Sequence, residues 1–139
     1  MNEAFLPREE TFIDCCGTPR TFLLFESPGI GKNNADDGYV VTAREVAESE
    51  SGYEFSAWSP CLGDCLGKLR GKIRRGIATR HLVRNSHGRL DMIQNRISGL
   101  ISVGGMIVDG VFYRWETLVD IFASCEGLKM EIQIADPAD

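Results

Sequence analysis

Apolar residues alternate with polar ones, or cluster in short runs, at three neighbouring places in the N-terminal half of the chain. The runs are TFLLF at 21–25, YVVTAREVA at 39–47 and YEFSAW at 53–58. Runs rich in Val, Tyr, Phe and Thr favour strands, and the polar segments between them favour turns. The pattern predicts an antiparallel meander of three strands, with Phe55 and Trp58 on opposite faces of the sheet.

The spacing of apolar residues changes to that of a helix after residue 59. Apolar side chains recur every third or fourth position, which places them on one stripe of a helix. The stripe consists of Leu62, Leu66, Leu69, Ile73 and Ile77. Ser59 before Pro60 is typical of a helix start, because Ser caps the first amides and Pro fits the first helical position. The sequence predicts a helix from Pro60 to Leu82.

Strand-like patterns return after a polar loop that contains NSHG at 85–88. RISGLISV at 96–103 predicts one strand. MIVDGVFY at 106–113 predicts two more, because Asp109-Gly110 between two apolar arms favours a tight type I′ turn. This half of the chain therefore adds three strands connected by short turns.

A second helix and a last strand complete the predicted elements. Apolar residues from Trp115 to Cys125 have helical spacing, with Trp115 expected in the core, and Gly127 provides a C-terminal stop. LKMEIQI at 128–134 alternates strictly and predicts a half-buried strand. The order βββ-α-βββ-α-β predicts an α+β fold, in which a mostly antiparallel sheet of about six to seven strands carries two helices.

The size and composition of the chain predict one domain, residues 1–139. It has 139 residues, of which 43% are apolar and 25% charged, as in ordinary globular proteins. We expect residues 1–12 to be frayed and 26–38 to form a mobile loop, because both segments are polar. No signal-peptide pattern begins the chain, and its five cysteines are an odd number, so we expect a reduced, cytoplasmic location.

The segment SPGIGK at 27–32 invites interpretation as a phosphate-binding loop. Such a loop needs Gly-x-x-x-x-Gly-Lys-Ser/Thr and a helix that begins at the lysine. Here the first glycine position is Glu26 and the hydroxyl position is Asn33. A carboxylate would repel phosphate, so the sequence favours a hairpin loop over a nucleotide site.

Metal binding and catalysis find little support in the sequence. Cys61 and Cys65 form a single pair, whereas structural zinc sites usually need two such pairs, and Cys65 borders the apolar stripe as a small core residue would. His81 is expected near the helix end, where it meets the helix dipole, and His87 in a turn. We therefore predict no metal, no cofactor and no catalytic residue.

The predicted first helix carries an unusual combination of glycines and basic residues. Gly63, Gly67 and Gly71 recur every fourth position, and each costs on the order of 1 kcal/mol relative to Ala. Although the net charge of the chain is −5, eight basic and no acidic residues lie between Cys65 and Leu90. The basic residues that flank the glycines are Lys68, Arg70, Lys72, Arg74 and Arg75.

Three interpretations of this helix remain open. The glycines and Trp58 could pack closely against a second chain, which favours a homo-oligomer, most simply a dimer. The basic face could bind an acidic partner or, weakly, nucleic acid, although a sequence pI of 5.1 and the lack of interleaved aromatic residues disfavour nucleic acid. The face could also be only solvated.

Residues 52–135 resemble an uncharacterised bacterial domain family. The likeness is carried by GYEFSAW, LRGKIRRGIATRHL and IVDGVFYRWETLVDIFASCEGLKMEIQI, and most specifically by the Asp109-Gly110 turn, the Trp115-Glu116 helix start and the Glu126-Gly127 exit. Small acidic proteins of this kind also occur as integron cassette products. The resemblance implies a small α+β domain of bacterial origin, and it transfers no activity.

Together these observations favour a non-enzymatic, self-associating interaction module of otherwise unknown function. The alternative is a small-molecule binder or small enzyme with a cleft between helix and sheet, in which Glu54, Trp58 and Arg74 would cluster. The sequence identifies neither a ligand nor a stoichiometry.

Overall fold

Two helices and nine strands form the described part of the chain, which comprises residues 6–27, 38–47, 49 and 51–139 of a computed structural model. The N-terminal elements are β1 (Arg8–Ile13), β2 (Pro19–Glu26), β3 (Tyr39–Glu45), β4 (Glu54–Ser59) and α1 (Leu62–Ala78). The C-terminal elements are β5 (Leu82–Arg84), β6 (Leu90–Met92), β7 (Leu100–Ser102), β8 (Gly105–Val108), β9 (Val111–Arg114) and α2 (Trp115–Ala123). The predicted α+β class and the two helices are confirmed.

The first four strands form one antiparallel sheet in the order β1-β2-β3-β4. The predicted meander is confirmed as β2, β3 and β4, with Ala43 opposite Phe55 in the register. The expectation that residues 1–12 are frayed is wrong for Arg8 onwards, because β1 pairs with β2 along its length and Phe12 is buried in the core. Residues 1–5 and most of the predicted mobile loop, 28–37, lie outside the described residues.

α1 packs its apolar stripe on one face of this sheet. Cys65, Leu66, Leu69, Ile73 and Ile77 are all buried there, so the predicted stripe and the core position of Cys65 are confirmed. The predicted helix bounds were too wide. β4 continues through Ser59, which delays the start to Leu62, and the helix ends at Ala78 because the following residues turn towards a second sheet.

The C-terminal half builds a smaller antiparallel structure with its own apolar cluster. β5 pairs with β6, and β7, β8 and β9 form a three-stranded sheet. Asp109 and Gly110 both have positive φ, 55° and 79°, and connect β8 to β9, so the predicted two-residue turn is confirmed. The buried members of this cluster are Leu82, Val108, Leu118 and Ile121.

The strand count and order differ from the prediction. Three sheets replace the expected single sheet, and the order is ββββ-α-βββββ-α in the described residues. β1 was missed because its sequence, REETFI, is mostly polar. β5 and β6 were missed because each has only three residues around a polar turn, too few to show a period.

The predicted last strand is wrong. Residues 128–135, which we call the C-terminal segment, belong to no strand. Leu128, Met130, Ile132 and Ile134 are 68%, 55%, 76% and 74% exposed. The alternation is real, but no strand among the described residues lies beside the segment to bury its apolar side.

The two halves meet through main-chain hydrogen bonds. The amide of Gly52 donates to the carbonyl of Gly110 at 2.7 Å, and the amide of Phe112 donates to Oγ of Ser51 at 2.9 Å. These contacts join the β8–β9 hairpin to the loop before β4.

Candidate functional site

The glycine ridge of α1, which is Gly63, Gly67 and Gly71, points away from the core. A Cβ atom added at Gly67 would meet no described atom within 4 Å, and one added at Gly63 would meet only the Cys61 Sγ, at 4.0 Å. At Gly71 the only neighbour is the guanidinium of Arg75, on the same helix. The ridge is therefore a bare outer strip in the single chain, and close packing against a second chain stays a prediction.

Two of the predicted basic residues cover the outer edge of β4. Lys68 Nζ donates to the main-chain oxygen of Trp58, and Lys72 Nζ donates to that of Ser56, each at 2.7 Å. The Lys68 ammonium also lies 6.0 Å from the centre of the Trp58 ring. β4 is the last strand of its sheet, so these lysines occupy acceptors that a further strand would need.

The end of the chain docks at the same edge. The amide of Trp58 donates to the carbonyl of Ala138 at 3.2 Å, and Ala138 is buried. Lys72 Nζ also donates to the main-chain oxygens of Pro137 and Asp139, at 2.9 and 2.8 Å. Burial lowers the pKa of Lys72, and the neighbouring Lys68 lowers it further.

The remaining basic residues of α1 lie towards β1. Arg70 binds Glu10 with a fork, Nε to Oε1 at 2.9 Å and Nη2 to Oε2 at 2.6 Å. The guanidinium of Arg74 lies 5.4 Å from the centre of the Phe12 ring. Together with the Arg75 guanidinium beside Gly71, these contacts account for all five predicted basic residues, four of which hold α1 to the sheet or to the chain end.

An open depression lies between α1 and β1. It has a volume of about 680 Å³ and is lined by Glu10, Thr11, Phe12, Ile13, Arg70 and Arg74. The predicted cluster of Glu54, Trp58 and Arg74 does not form here. Arg74 lies over β1, whereas Glu54 lies on β4, at the opposite edge of the four-stranded sheet. There Glu54 accepts a hydrogen bond of 3.1 Å from Arg44 of β3.

Asp109 is the most densely bound side chain of the C-terminal half, and the sequence reasoning treated it only as a turn residue. Its carboxylate accepts the amides of His81 and Leu82 at 2.9 Å, and His81 Nδ1 lies 2.9 Å from Oδ1. His81 lies near the end of α1 as predicted, three residues after Ala78, but its ring binds Asp109. The carboxylate joins the β8–β9 turn to the start of β5.

The Asp109 and His81 pair resembles the base and orienting group of a nucleophilic site, which also needs an activated nucleophile. Burial raises the pKa of the Tyr53 hydroxyl to about 12, and the charge of Asp109 raises it as well. Partial desolvation likewise raises the pKa of the exposed Cys15 thiol, and its contact with Cys16 adds to this. Both shifts oppose ionisation of these two groups, whereas the contacts of Asp109 hold the β8–β9 turn to the start of β5.

Exposed apolar side chains are concentrated in the C-terminal half. Of fifteen large apolar residues that are exposed in the described part of the chain, eleven follow residue 80. They are Val83, Ile93, Ile101, Val103, Val111, Trp115, Val119, Leu128, Met130, Ile132 and Ile134. The expected core position of Trp115 is therefore wrong, because α2 buries Leu118 and Ile121 and turns Trp115 outwards.

The Arg70–Glu10 fork predicts a pH dependence of stability. The hydrogen bond from Arg70 lowers the pKa of Glu10 below its ordinary value of 4.5. Glu10 therefore takes up its proton at a higher pH in the unfolded chain than in the folded chain. The contribution of the fork to the free energy of unfolding is complete above pH 4.5 and is lost as the pH falls through the lowered pKa of the folded chain.

Replacing Arg70 by Met should lower the urea midpoint at neutral pH and have a smaller effect near about pH 3. We expect a loss of about 1 kcal/mol, because the two side chains are only 26% and 14% exposed and solvent screens the pair only in part. Arg44→Met, which removes an exposed pair with Glu54, is the control. An Arg70→Met effect that is equal at both pH values would contradict the assignment.

Two kinds of structure are absent from the described residues. No helix among them is long and apolar enough to cross a membrane. Nor do they bring three or more His, Cys, Asp or Glu side chains together in a way that could hold a metal ion.

Comparison with protein families gives two adjacent matches. Residues 4–78 match the model described as Domain of unknown function (DUF7686), and residues 81–139 match that described as Domain of unknown function (DUF7713). The boundary falls between the end of α1 and the start of β5, which also separates the two apolar clusters. The chain matches none of the curated proteins and none of the solved structures.

Proposed function

The chain belongs to the family of domains of unknown function DUF7686, and we propose that it is a non-enzymatic interaction module that forms a homodimer through its C-terminal half. The observation that carries this proposal is the concentration of exposed apolar side chains after residue 80. Soluble monomers seldom expose large contiguous apolar patches, and such patches mark interaction surfaces. The bacterial origin and the integron cassette type that the resemblance implies are compatible with this proposal, as is the cytoplasmic location expected from the sequence.

The energetic argument centres on the C-terminal segment. Burying one large aliphatic side chain fully contributes about 1.5–3 kcal/mol. Leu128, Met130, Ile132 and Ile134 are each more than half exposed, so the segment alone can supply a large part of a dimer interface. The β4 edge is a weaker candidate, since Lys68, Lys72 and Ala138 already occupy it.

Replacing Ile132 by Lys should abolish dimer formation and leave the monomer folded. Ile132 is 76% exposed, so the change costs the single chain little, whereas burial of a lysine in an interface is costly. Sedimentation velocity over a range of concentrations measures the association, and circular dichroism measures the fold.

Ile13→Lys is the matched control, because Ile13 is 62% exposed but lies in the N-terminal half. It should dimerise as the wild type does. A wild-type protein that sediments as a 15.4 kDa monomer at every concentration would overturn the proposal.

A second candidate function rests on the depression between α1 and β1. Arg74 lines it, so a small anion, or an acidic segment of another protein, could bind there in competition with Glu10 for Arg70. Titration calorimetry with a panel of small dicarboxylates would test this function. Binding that persists unchanged in Arg74→Ala would argue against it, and the same variant in an anisotropy assay at low salt would test weak nucleic-acid binding.

A further inference from the structure

The C-terminal segment is held at both ends and unpaired between them. At its start the amide of Leu128 donates to the carbonyl of Cys125 at 3.0 Å, and after its end Ala138 accepts from Trp58 at 3.2 Å. Between these anchors no main-chain group of residues 129–135 hydrogen-bonds to another described residue. The segment therefore has unpaired main-chain amides and carbonyls between its two anchors.

We infer that the C-terminal segment is completed by the same segment of a second copy, in an antiparallel two-stranded ribbon. This inference rests on the proposed dimerisation and specifies its contact. Pairing would satisfy the free amides and carbonyls along one edge of each segment. Because both ends are already fixed, little chain entropy remains to be lost when the two copies meet.

The sequence of the segment selects one register. Directly opposite residues of an antiparallel pair share a face, so apolar residues must oppose apolar ones to form one apolar side. A two-fold axis through Met130 places Leu128 opposite Ile132 of the second copy. It also places Lys129 opposite Glu131 of the second copy, and this ion pair occurs twice in the dimer.

The neighbouring registers are electrostatically worse. An axis through Lys129 or through Glu131 places two like charges directly opposite each other, which destabilises a strand pair. An axis through Ile132 places Lys129 opposite Ala135 and Glu131 opposite Gln133, so neither charge gains an opposite partner. Only the axis through Met130 combines an apolar face with complementary charges.

The existing contact between Lys129 and Glu131 fits this register. Within one chain their charged groups lie 3.5 Å apart, and both side chains are more than 80% exposed. An exposed pair of this kind contributes little by itself. In the ribbon it becomes half of a square of four alternating charges, to which each chain contributes one lysine and one glutamate.

Charge reversal tests the register. Lys129→Glu and Glu131→Lys should each raise the dimer dissociation constant roughly tenfold, because two attractive cross-strand pairs become repulsive. The double variant Lys129→Glu/Glu131→Lys restores both pairs with exchanged positions and should dimerise within about threefold of the wild type. Sedimentation equilibrium at low salt provides the dissociation constants.

A cross-linking experiment locates the axis independently. Replacing Met130 by Cys places two thiols directly opposite each other, within reach of a disulfide. In an Ile132→Cys control the equivalent thiols lie about 13 Å apart, beyond that reach. Both are made in a background in which the exposed or half-exposed natural cysteines are serine: Cys15, Cys16, Cys61 and Cys125.

Each outcome separates the inference from the proposed function. Rapid dimer cross-linking of Met130→Cys but not Ile132→Cys, with rescue by the double charge variant, supports the ribbon. A wild-type dimer whose dissociation constant is unchanged by the charge reversals, and which does not cross-link through Met130→Cys, overturns the ribbon but not the proposed dimerisation. A monomeric wild type overturns both.

Discussion

Replacing Asp109 by Ala should destabilise the protein by about 3–5 kcal/mol, the largest effect we expect from a residue in a turn. Its carboxylate is 5% exposed and accepts the amides of His81 and Leu82. Removing it leaves both amides without their acceptor and places Ala at a φ of 55°, which favours glycine or asparagine. The melting temperature should fall by roughly 10–20 °C.

Asp109→Asn is the matched control for this prediction. The amide keeps one oxygen acceptor and tolerates the left-handed backbone, so we expect a loss of only about 1–2 kcal/mol. Urea unfolding followed by fluorescence and by circular dichroism gives both values, and coincident transitions justify a single free energy. An Asp109→Ala loss below about 1 kcal/mol would mean that Asp109 does not organise this junction.

Replacing Gly76 by Ala should destabilise the protein by about 1–3 kcal/mol, although Ala is the better helix former. The added Cβ would fall far inside van der Waals contact with the ring of Phe55. That ring stacks on Tyr53 at 5.8 Å and lies 6.1 Å from Phe22. It cannot move without disturbing the core between α1 and the sheet.

Gly67→Ala in the same helix is the control, and it should have the opposite sign. No described atom lies within 4 Å of its added Cβ, so the monomer should gain about 0.5–1 kcal/mol from helix propensity. Thermal unfolding of the two variants, compared with that of the wild type, shows whether each change raises or lowers the stability. If Gly67→Ala weakened dimerisation, the ridge would belong to the interface, contrary to the contact we propose.

The sequence predicted those elements whose signal is local. The strands of the meander and the stripe of α1 repeat their apolar residues with a clear period, and the Asp109-Gly110 turn depends on two adjacent residues. The strands that were missed, β5 and β6, are too short to display a period. Their pairing depends on the turn between them and on Asp109, which is distant in sequence.

The candidate site was harder to predict because its residues have several possible partners. The charges of Lys68 and Lys72 were visible in the sequence as a basic face, but their ammonium groups bind carbonyls of β4. The sequence predicts neither which main-chain acceptor lies at a sheet edge nor how far it lies from a lysine. For the same reason His81 was assigned to a helix end and not to Asp109.

The sequence by itself determined the α+β class, the stripe that α1 buries, the two-residue turn and the alternation of the C-terminal segment. Periodicity and turn chemistry depend on residues close together in the sequence, so they can be predicted without knowledge of the tertiary contacts. The tertiary structure decided what each face contacts. The glycine ridge contacts no described atom outside its own helix and the adjoining Cys61, and Lys68 and Lys72 bind carbonyls at the edge of β4. The apolar side chains from Leu128 to Ile134 stay exposed. Burial depends on contacts between residues far apart in the chain, and it is this exposed C-terminal segment that we expect a second copy to cover.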